Sequence, residues 1–245
     1  MEHKEYKRIV TKAETAVLFI HGIAGTPNHF KDFLPLVPKE FSFYNILLDG
    51  HGRKTEDFSK TSMEKWENQI DFAVSELLKD HKKIFIVAHS LGTLLAIEQA
   101  VKEKRIEKLF LLAVPIKLFV KPVALFSAFR IYLGKVPERN QKLAAMKNCC
   151  GIELSKNLFK YLGWIPRFLE LFRKIGGTRK IIGNLKTDCM IFQSFGDELV
   201  SKKSIKYLEE KTFATINVLE KSGHYYYEKK DFDHLLGEFK KFICE

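Results

Sequence analysis

Thirteen consecutive residues restrict the fold of this chain more than any others: Ile84-Phe85-Ile86-Val87-Ala88-His89-Ser90-Leu91-Gly92-Thr93-Leu94-Leu95-Ala96. Ile84 to Ala88 are all apolar or small, and the run passes through His89 into a serine. An uninterrupted apolar run of this length is the pattern of a parallel strand buried on both faces. After a short turn, Leu94, Leu95, Ile97 and Ala100 recur at helical spacing, as in a helix packed on a sheet. Ser90 therefore falls at a tight strand-to-helix turn.

The same alternation continues on both sides. Residues 6 to 10 form a candidate edge strand, and Ala16–Ile20 is a buried strand that leads into His21-Gly22-Ile23-Ala24-Gly25-Thr26-Pro27. Thr26, Asn28 and Asp32 offer helix-start chemistry, which predicts a short helix around 29 to 36. The strand Phe43–Leu48 ends at Asp49-Gly50-His51-Gly52-Arg53. Thr61 or Ser62 caps a helix whose apolar face carries Trp66, Ile70, Ala73, Val74, Leu77 and Leu78. Ile106–Ala113 is another strand, and then the rhythm breaks until Cys189–Ser194. A gap that long cannot be bare loop. Helical patterns fall at Val123–Tyr132, Gln141–Met146 and Phe168–Ile175 within it. Beyond it come Phe195-Gly196-Asp197-Glu198-Leu199-Val200, a helix from Ser201 or Ser204 to Glu210, and the strand Thr215–Leu219. That strand leads into Glu220-Lys221-Ser222-Gly223-His224-Tyr225, and a helix over about Asp231–Ile243 closes the chain. Strands alternating with helices predict an α/β fold with a mostly parallel central sheet flanked by helices. The organisation expected is a core in two parts, 1–114 and 183–245, with a helical insertion at 115–182.

Charge is segregated along the chain. Of 41 Lys and Arg, 14 lie between Pro115 and Ile182, against 3 of the 30 Asp and Glu; the rest of the chain carries 27 of each sign. The whole excess of +11 thus sits in the insertion. Such a field favours anionic substrates or a peripheral contact with an anionic membrane, and an ordinary solvated face is the alternative. Nucleic acid is not an expected partner, because no nucleic-acid-binding module is recognisable. The chain has no apolar run of 18 residues and no apolar core after Met1-Glu2-His3-Lys4-Glu5, so a cytoplasmic location is expected. Cys149, Cys150, Cys189 and Cys244 have no metal-ligand spacing, and neither a metal nor an organic cofactor is expected.

Five of these loops together resemble the α/β-hydrolase superfamily. The Ser90 turn is similar to its nucleophile elbow, Gly-x-Ser-x-Gly, with Ala88 in place of the first glycine. The His21-Gly22 loop resembles that of the bacterial carboxylesterase, monoglyceride lipase and serine aminopeptidase branch. Asp49-Gly50-His51-Gly52 resembles the branch's Asp-x-x-Gly-His-Gly-x-Ser with one spacer missing and Lys54 or Thr55 in place of the serine. The loops around Asp197 and His224 resemble its Gly-x-Asp-x-x-Val and Ser-Gly-His elements.

The resemblance implies a nucleophile at Ser90, an acid at Asp197 and a base at His224, in the chain order this superfamily uses. It implies an oxyanion hole made by the backbone N–H groups of Ile23 and Leu91. Glu198 is the rival acid, Asp188 begins its strand at the wrong end, and His21 and His51 are structural. The insertion becomes a helical cap over the serine, with apolar side chains facing in and basic ones out. The implied activity is hydrolysis of a small-molecule acyl ester, with short-to-medium acyl chains or a monoacylglycerol, through an acyl-enzyme. A thioesterase or an amide hydrolase or peptidase would use the same motifs. The basic cap counts against a peptidase that selects a free amine. A non-catalytic binding protein on this fold is the reading from another class. Monomer and dimer both remain open.

Overall fold

The computed structural model describes residues 3–137 and 139–244. In chain order its strands are β1 (Tyr6–Arg8), β2 (Thr15–Ile20), β3 (Ser42–Ile46), β4 (Arg53–Lys54), β5 (Lys83–His89), β6 (Ile106–Leu112), β7 (Ile152–Glu153), β8 (Asp188–Ser194) and β9 (Thr215–Leu219). The α-helices are α1 (Thr55–Lys60), α2 (Met63–Asp80), α3 (Leu91–Lys102), α4 (Pro122–Tyr132), α5 (Gln141–Asn148), α6 (Ile165–Ile181), α7 (Lys203–Lys211) and α8 (Lys229–Cys244). Seven strands form one sheet in the order β1-β3-β2-β5-β6-β8-β9. Every neighbouring pair is parallel except the edge pair β1–β3.

The period-two alternation of β2 explains why the sheet is covered on both sides. Val17 and Phe19 point to one face, where Val87, Phe110 and Phe192 join them against Phe30, Phe33 and the Leu235, Phe239 and Phe242 stripe of α8. Ala16, Leu18 and Ile20 point to the other, where Ile86, Leu109 and Ile191 pack on α2 and α3. Both layers are closed to water, so the strands read as unbroken apolar runs. Each large side chain so buried contributes about 1.5–3 kcal/mol. In α2, Ser62 caps the first turn by accepting from the Lys65 N–H at 3.2 Å. Trp66 fills the buried face of α2, and its indole N–H donates to the Asp49 carbonyl at 2.8 Å.

Between β6 and β8 the chain leaves the sheet and builds a helical cap from α4, α5 and α6, with a 3-10 segment at Leu158–Trp164. The cap is tied to the core at two margins. On one, β7 pairs with β4, and Thr55 accepts from the Ser155 N–H at 3.0 Å while donating to the Glu153 carbonyl at 2.9 Å. On the other, the buried Lys174 of α6 lies 2.6 Å from Glu67 of α2 and also pairs with Glu98 of α3. A buried ammonium needs such partners, because its desolvation is otherwise uncompensated.

Two expectations change. The helix at 29 to 36 is two 3-10 turns, Pro27–Phe30 and Leu34–Leu36, because Pro35, inside that span, removes a donor that a continuous α-helix needs. The cap's aromatic residues do not all face inward: Tyr132, Tyr161 and Trp164 do, whereas Phe119, Phe126 and Phe172 are exposed and Phe159 is 80% exposed.

Candidate active site

Ser90 occupies the single residue between β5 and α3, with φ 51° and ψ −121°. A non-glycine residue in this region is strained and persists only where its surroundings dictate it. Here the Ser90 N–H donates to the Leu112 carbonyl at 2.9 Å, and the Ser90 carbonyl accepts from the Thr93 N–H at 2.9 Å and from the Thr93 hydroxyl at 2.6 Å. Gly92 lets α3 start against β2: a Cβ there would stand 2.2 Å from the Ile20 carbonyl oxygen. Ala88 needs no such exception. It is fully buried in β5, in register with Ile20 and Leu111, and its methyl belongs to the core.

His224 follows β9 and Asp197 follows β8, so both reach the carboxyl end of the sheet where β5 delivers Ser90. His224 Nε2 is 3.2 Å from Ser90 Oγ, and His224 Nδ1 is 2.8 Å from Asp197 Oδ2. The carboxylate can only accept, so Nδ1 carries the proton and Nε2 is left to accept from the serine hydroxyl. The other Asp197 oxygen accepts from the Leu199 and Val200 N–H groups, each at 2.7 Å. Burial pushes the Asp197 carboxyl upward, but the His224 charge and hydrogen bond and these two amides hold it below the usual carboxylate range. Asp197 is therefore the charged partner of His224. Glu198, the rival, faces elsewhere and accepts from the backbone N–H of His224 at 2.9 Å. Asp188 is exposed at the start of β8.

Histidines surround the triad without joining it. His89 Nε2 donates to the His224 carbonyl at 3.0 Å, and its ring centroid is 4.7 Å from that of His224. His29 stacks on His89 at 4.1 Å. Burial holds His89 well below its ordinary pKa and pushes His29 down to about 3. Both are thus neutral and place no like charge beside His224. His21 donates through Nδ1 to the Gly22 carbonyl at 2.8 Å and accepts from the Leu48 N–H at 3.1 Å, which braces the turn after β2. His51 contacts the Leu48 and Asp49 carbonyls at 3.1 Å, and burial lowers it to about 4. Its Nε2 is buried without a partner among the described residues.

Leu91 opens α3, so its N–H is one of those that have no acceptor within the helix. Ile23 lies in the turn that the Gly25 N–H closes on the Gly22 carbonyl at 3.0 Å. Gly22 stands against Ser90: a Cβ on it would be 2.9 Å from the serine Cβ. The next residue, Ala24, has φ 52°, and its carbonyl accepts from the Gly151 N–H of the cap at 2.8 Å.

A cavity of about 410 Å³ lies between cap and core. Ala24, Met146, Cys149, Tyr161, Trp164 and Tyr225 supply much of its wall. Burial pushes the Cys149 thiol up to about 12, so it is an inert wall group at neutral pH. Met146 and Tyr225 also border a smaller cavity of about 150 Å³, where His224, Glu198, Asn140 and Lys142 bring polar groups. Among the described residues no group of three His, Cys, Asp or Glu side chains is placed to hold a metal ion. Sequence reasoning missed His89, Tyr225 and the Met146 and Cys149 walls. His89 and Tyr225 carried a signal there as the chain neighbours of Ser90 and His224, whereas Met146 and Cys149 carried none.

A serine at a strained elbow, hydrogen-bonded to an imidazole that a buried carboxylate orients, is the arrangement of a serine hydrolase. Comparison with curated proteins gives no match. Among solved structures, a chain described with the metagenome-derived lipolytic enzymes LipS and LipT superposes with a TM-score of 0.74 at 17% identity, covering 99% of this chain and 98% of that one. The monoacylglycerol lipase of Paleococcus ferrophilus gives 0.71 at 17% identity, with 100% and 99% covered. A soluble variant of monoglyceride lipase from Saccharomyces cerevisiae, in complex with a substrate analog, gives 0.68 at 17% identity, with 96% and 88% covered. These likenesses show the fold. The alpha/beta hydrolase family model matches residues 17–231, most of the chain, and with the elbow and triad geometry in place the chain belongs to that family.

Proposed function

We propose that this chain hydrolyses carboxylic esters of short-to-medium acyl chains or monoacylglycerols through an acyl-enzyme on Ser90. The observation that carries the reading is the apolar cavity between cap and core, which no triad residue lines but which Tyr225 and Ala24, the immediate chain neighbours of His224 and Ile23, help to wall. At about 410 Å³ it has the size of a small-ligand site, for which roughly 300–1,000 Å³ is usual.

In this reading His224 Nε2 takes the proton of Ser90 as its oxygen attacks the acyl carbonyl, and Asp197 stabilises the imidazolium. The N–H groups of Ile23 and Leu91 stabilise the tetrahedral oxyanion. The position of Leu91 at the start of α3 supports this, since a helix N-terminus presents free donors and partial positive charge. His224 then protonates the leaving alcohol, and water that it activates releases the acid. The smaller cavity at His224 is mostly apolar, but Asn140, Lys142 and Glu198 give it polar groups that could meet the hydroxyls of an alcohol such as glycerol. The same triad would also attack a thioester, and rates on an oxygen ester and a thioester of one acyl chain separate the two.

The test is covalent. A fluorophosphonate should label the wild-type chain and leave Ser90→Ala unlabelled, with turnover of an activated ester lowered about 10⁴-fold or more. Equal labelling of both chains would remove the assignment.

A further inference from the structure

We propose that the outer face of the cap docks on an anionic lipid bilayer and that acyl substrate passes from that bilayer directly into the cavity. Docking stands independently of the proposed reaction; only the passage of substrate rests on the ester reading.

The distribution of apolar surface is the first observation. Of the 18 large hydrophobic side chains that are exposed among the described residues, 14 lie between Phe119 and Phe172. Eleven of them fall on three adjoining pieces, α4, the 3-10 segment Leu158–Trp164 and the first half of α6, and the other three, Phe119, Val120 and Leu133, flank α4. The 3-10 segment runs straight into α6. Tyr132 of α4 meets Tyr161 of that segment at 6.2 Å and donates to the Lys156 carbonyl at 2.7 Å. An exposed apolar area of this extent on a water-soluble surface marks a contact site.

The second observation is where this surface leads. Phe129 and Leu158 are 55% and 66% exposed, yet both also line the 410 Å³ cavity. The apolar surface therefore surrounds the cavity mouth, and an acyl chain entering there need not cross water.

The third observation selects the occupant. The insertion holds 14 basic and 3 acidic residues, and Lys135, Lys156 and Arg173 stand exposed around the apolar groups. A second copy of this face would set like charge against like charge. Apolar side chains interleaved with lysine and arginine instead match an interface in which anionic headgroups overlie acyl chains. No helix among the described residues is long and apolar enough to cross a membrane, so the contact is peripheral.

Flotation of the full chain with vesicles tests the proposal. Phosphatidylcholine vesicles are compared with vesicles of equal parts phosphatidylcholine and phosphatidylglycerol, at low and high salt. Two variants accompany the wild type: Phe126→Ser/Phe159→Ser/Phe172→Ser, and Lys135→Glu/Lys156→Glu/Arg173→Glu. None of these six residues lines the cavity. The wild type should bind the mixed vesicles roughly tenfold more than the neutral ones, less so in high salt, and each variant should lose about tenfold. Hydrolysis of a soluble short-chain ester should stay within about twofold in both variants, which shows that they fold, while hydrolysis of vesicle-borne monoacylglycerol falls with binding. Equal binding to both vesicle types, or binding undiminished in both variants, overturns the proposal. So does a wild-type dimer in sedimentation that the phenylalanine variant dissociates, since the occupant is then a second copy. If the wild type binds vesicles but hydrolyses no ester, the reading of the reaction fails and docking survives.

Discussion

Two adjacent carboxylates share the support of His224. Asp197 holds the ring through Nδ1, and Glu198 holds the backbone N–H of the same residue. Their contributions to rate should differ sharply. Asn at 197 would offer an amide where a carboxylate is needed, turn the imidazole to the wrong tautomer, and lower kcat about 10⁴-fold. Gln at 198 keeps an oxygen that can accept from the His224 N–H, so Glu198→Gln should lose no more than about tenfold, the scale of one weakened hydrogen bond. Steady-state rates on an activated ester distinguish the two, and an equal loss in both variants would reverse the assignment of the acid. At this scale much could be read from the chain alone. Ser90, Asp197 and His224 each follow a strand in a short loop with recognisable neighbours, so local order already carried them to the carboxyl end of the sheet. His89 and Tyr225 were adjacent in sequence to named residues, yet their roles depend on where His224's carbonyl and the cap come to rest.

The elements couple the cap to the turn beside Ser90 through main-chain contacts. Gly151 donates to the Ala24 carbonyl at 2.8 Å and accepts from the Gly52 N–H at 2.6 Å. A methyl at Gly151 would stand 1.9 Å from the Gly25 carbonyl oxygen, so either the cap or the turn that carries Ile23 must move. Overpacking of this kind costs about 1–3 kcal/mol of stability. If the turn yields, kcat should fall about 100-fold, the effect of misplacing a catalytic contact by roughly an ångström. Kinetics and thermal melting of Gly151→Ala measure both, and full turnover would show that the cap does not position the turn. This coupling was not legible in the sequence. β4 and β7 are two residues each, too short to carry a period, and their partners lie about a hundred positions apart. The strands β2, β5, β6, β8 and β9 and the helices α2 and α8 were legible, because each carries a run or stripe long enough to establish one. The 3-10 turns after β2 were not read as such: their capping residues serve both helix types, and the deciding signal is Pro35.

For the molecule as a whole, the buried histidines set the response to acid. His29 and His51 are held neutral at about 3 and about 4, and burial lowers His21 and His89 in the same direction. Unfolded, each would titrate near 6.5. Above that value neither state binds the proton and nothing changes. As pH falls below it, the unfolded chain takes up protons that the folded chain refuses, so each such histidine lowers stability by about 1.4 kcal/mol per pH unit until its folded pKa is reached. Asp197 loses its contribution later, as pH falls through the carboxylate range. Melting temperature should therefore drop steeply between pH 6.5 and 5, ahead of carboxylate titration. A flat profile across that interval would mean that the histidines are charged in the folded protein. The fixing of the roof has a mechanical result. Stitched along Ile152–Glu153 and riveted at Lys174, it is anchored at two of its margins. Admission then falls to the exposed side chains of Phe129 and Leu158, which reorient in picoseconds to nanoseconds rather than on the slower clock of hinged domains. Under the proposed ester reading, a doorway of that kind would sort its cargo by girth more than by length and favour a single straight hydrocarbon tail.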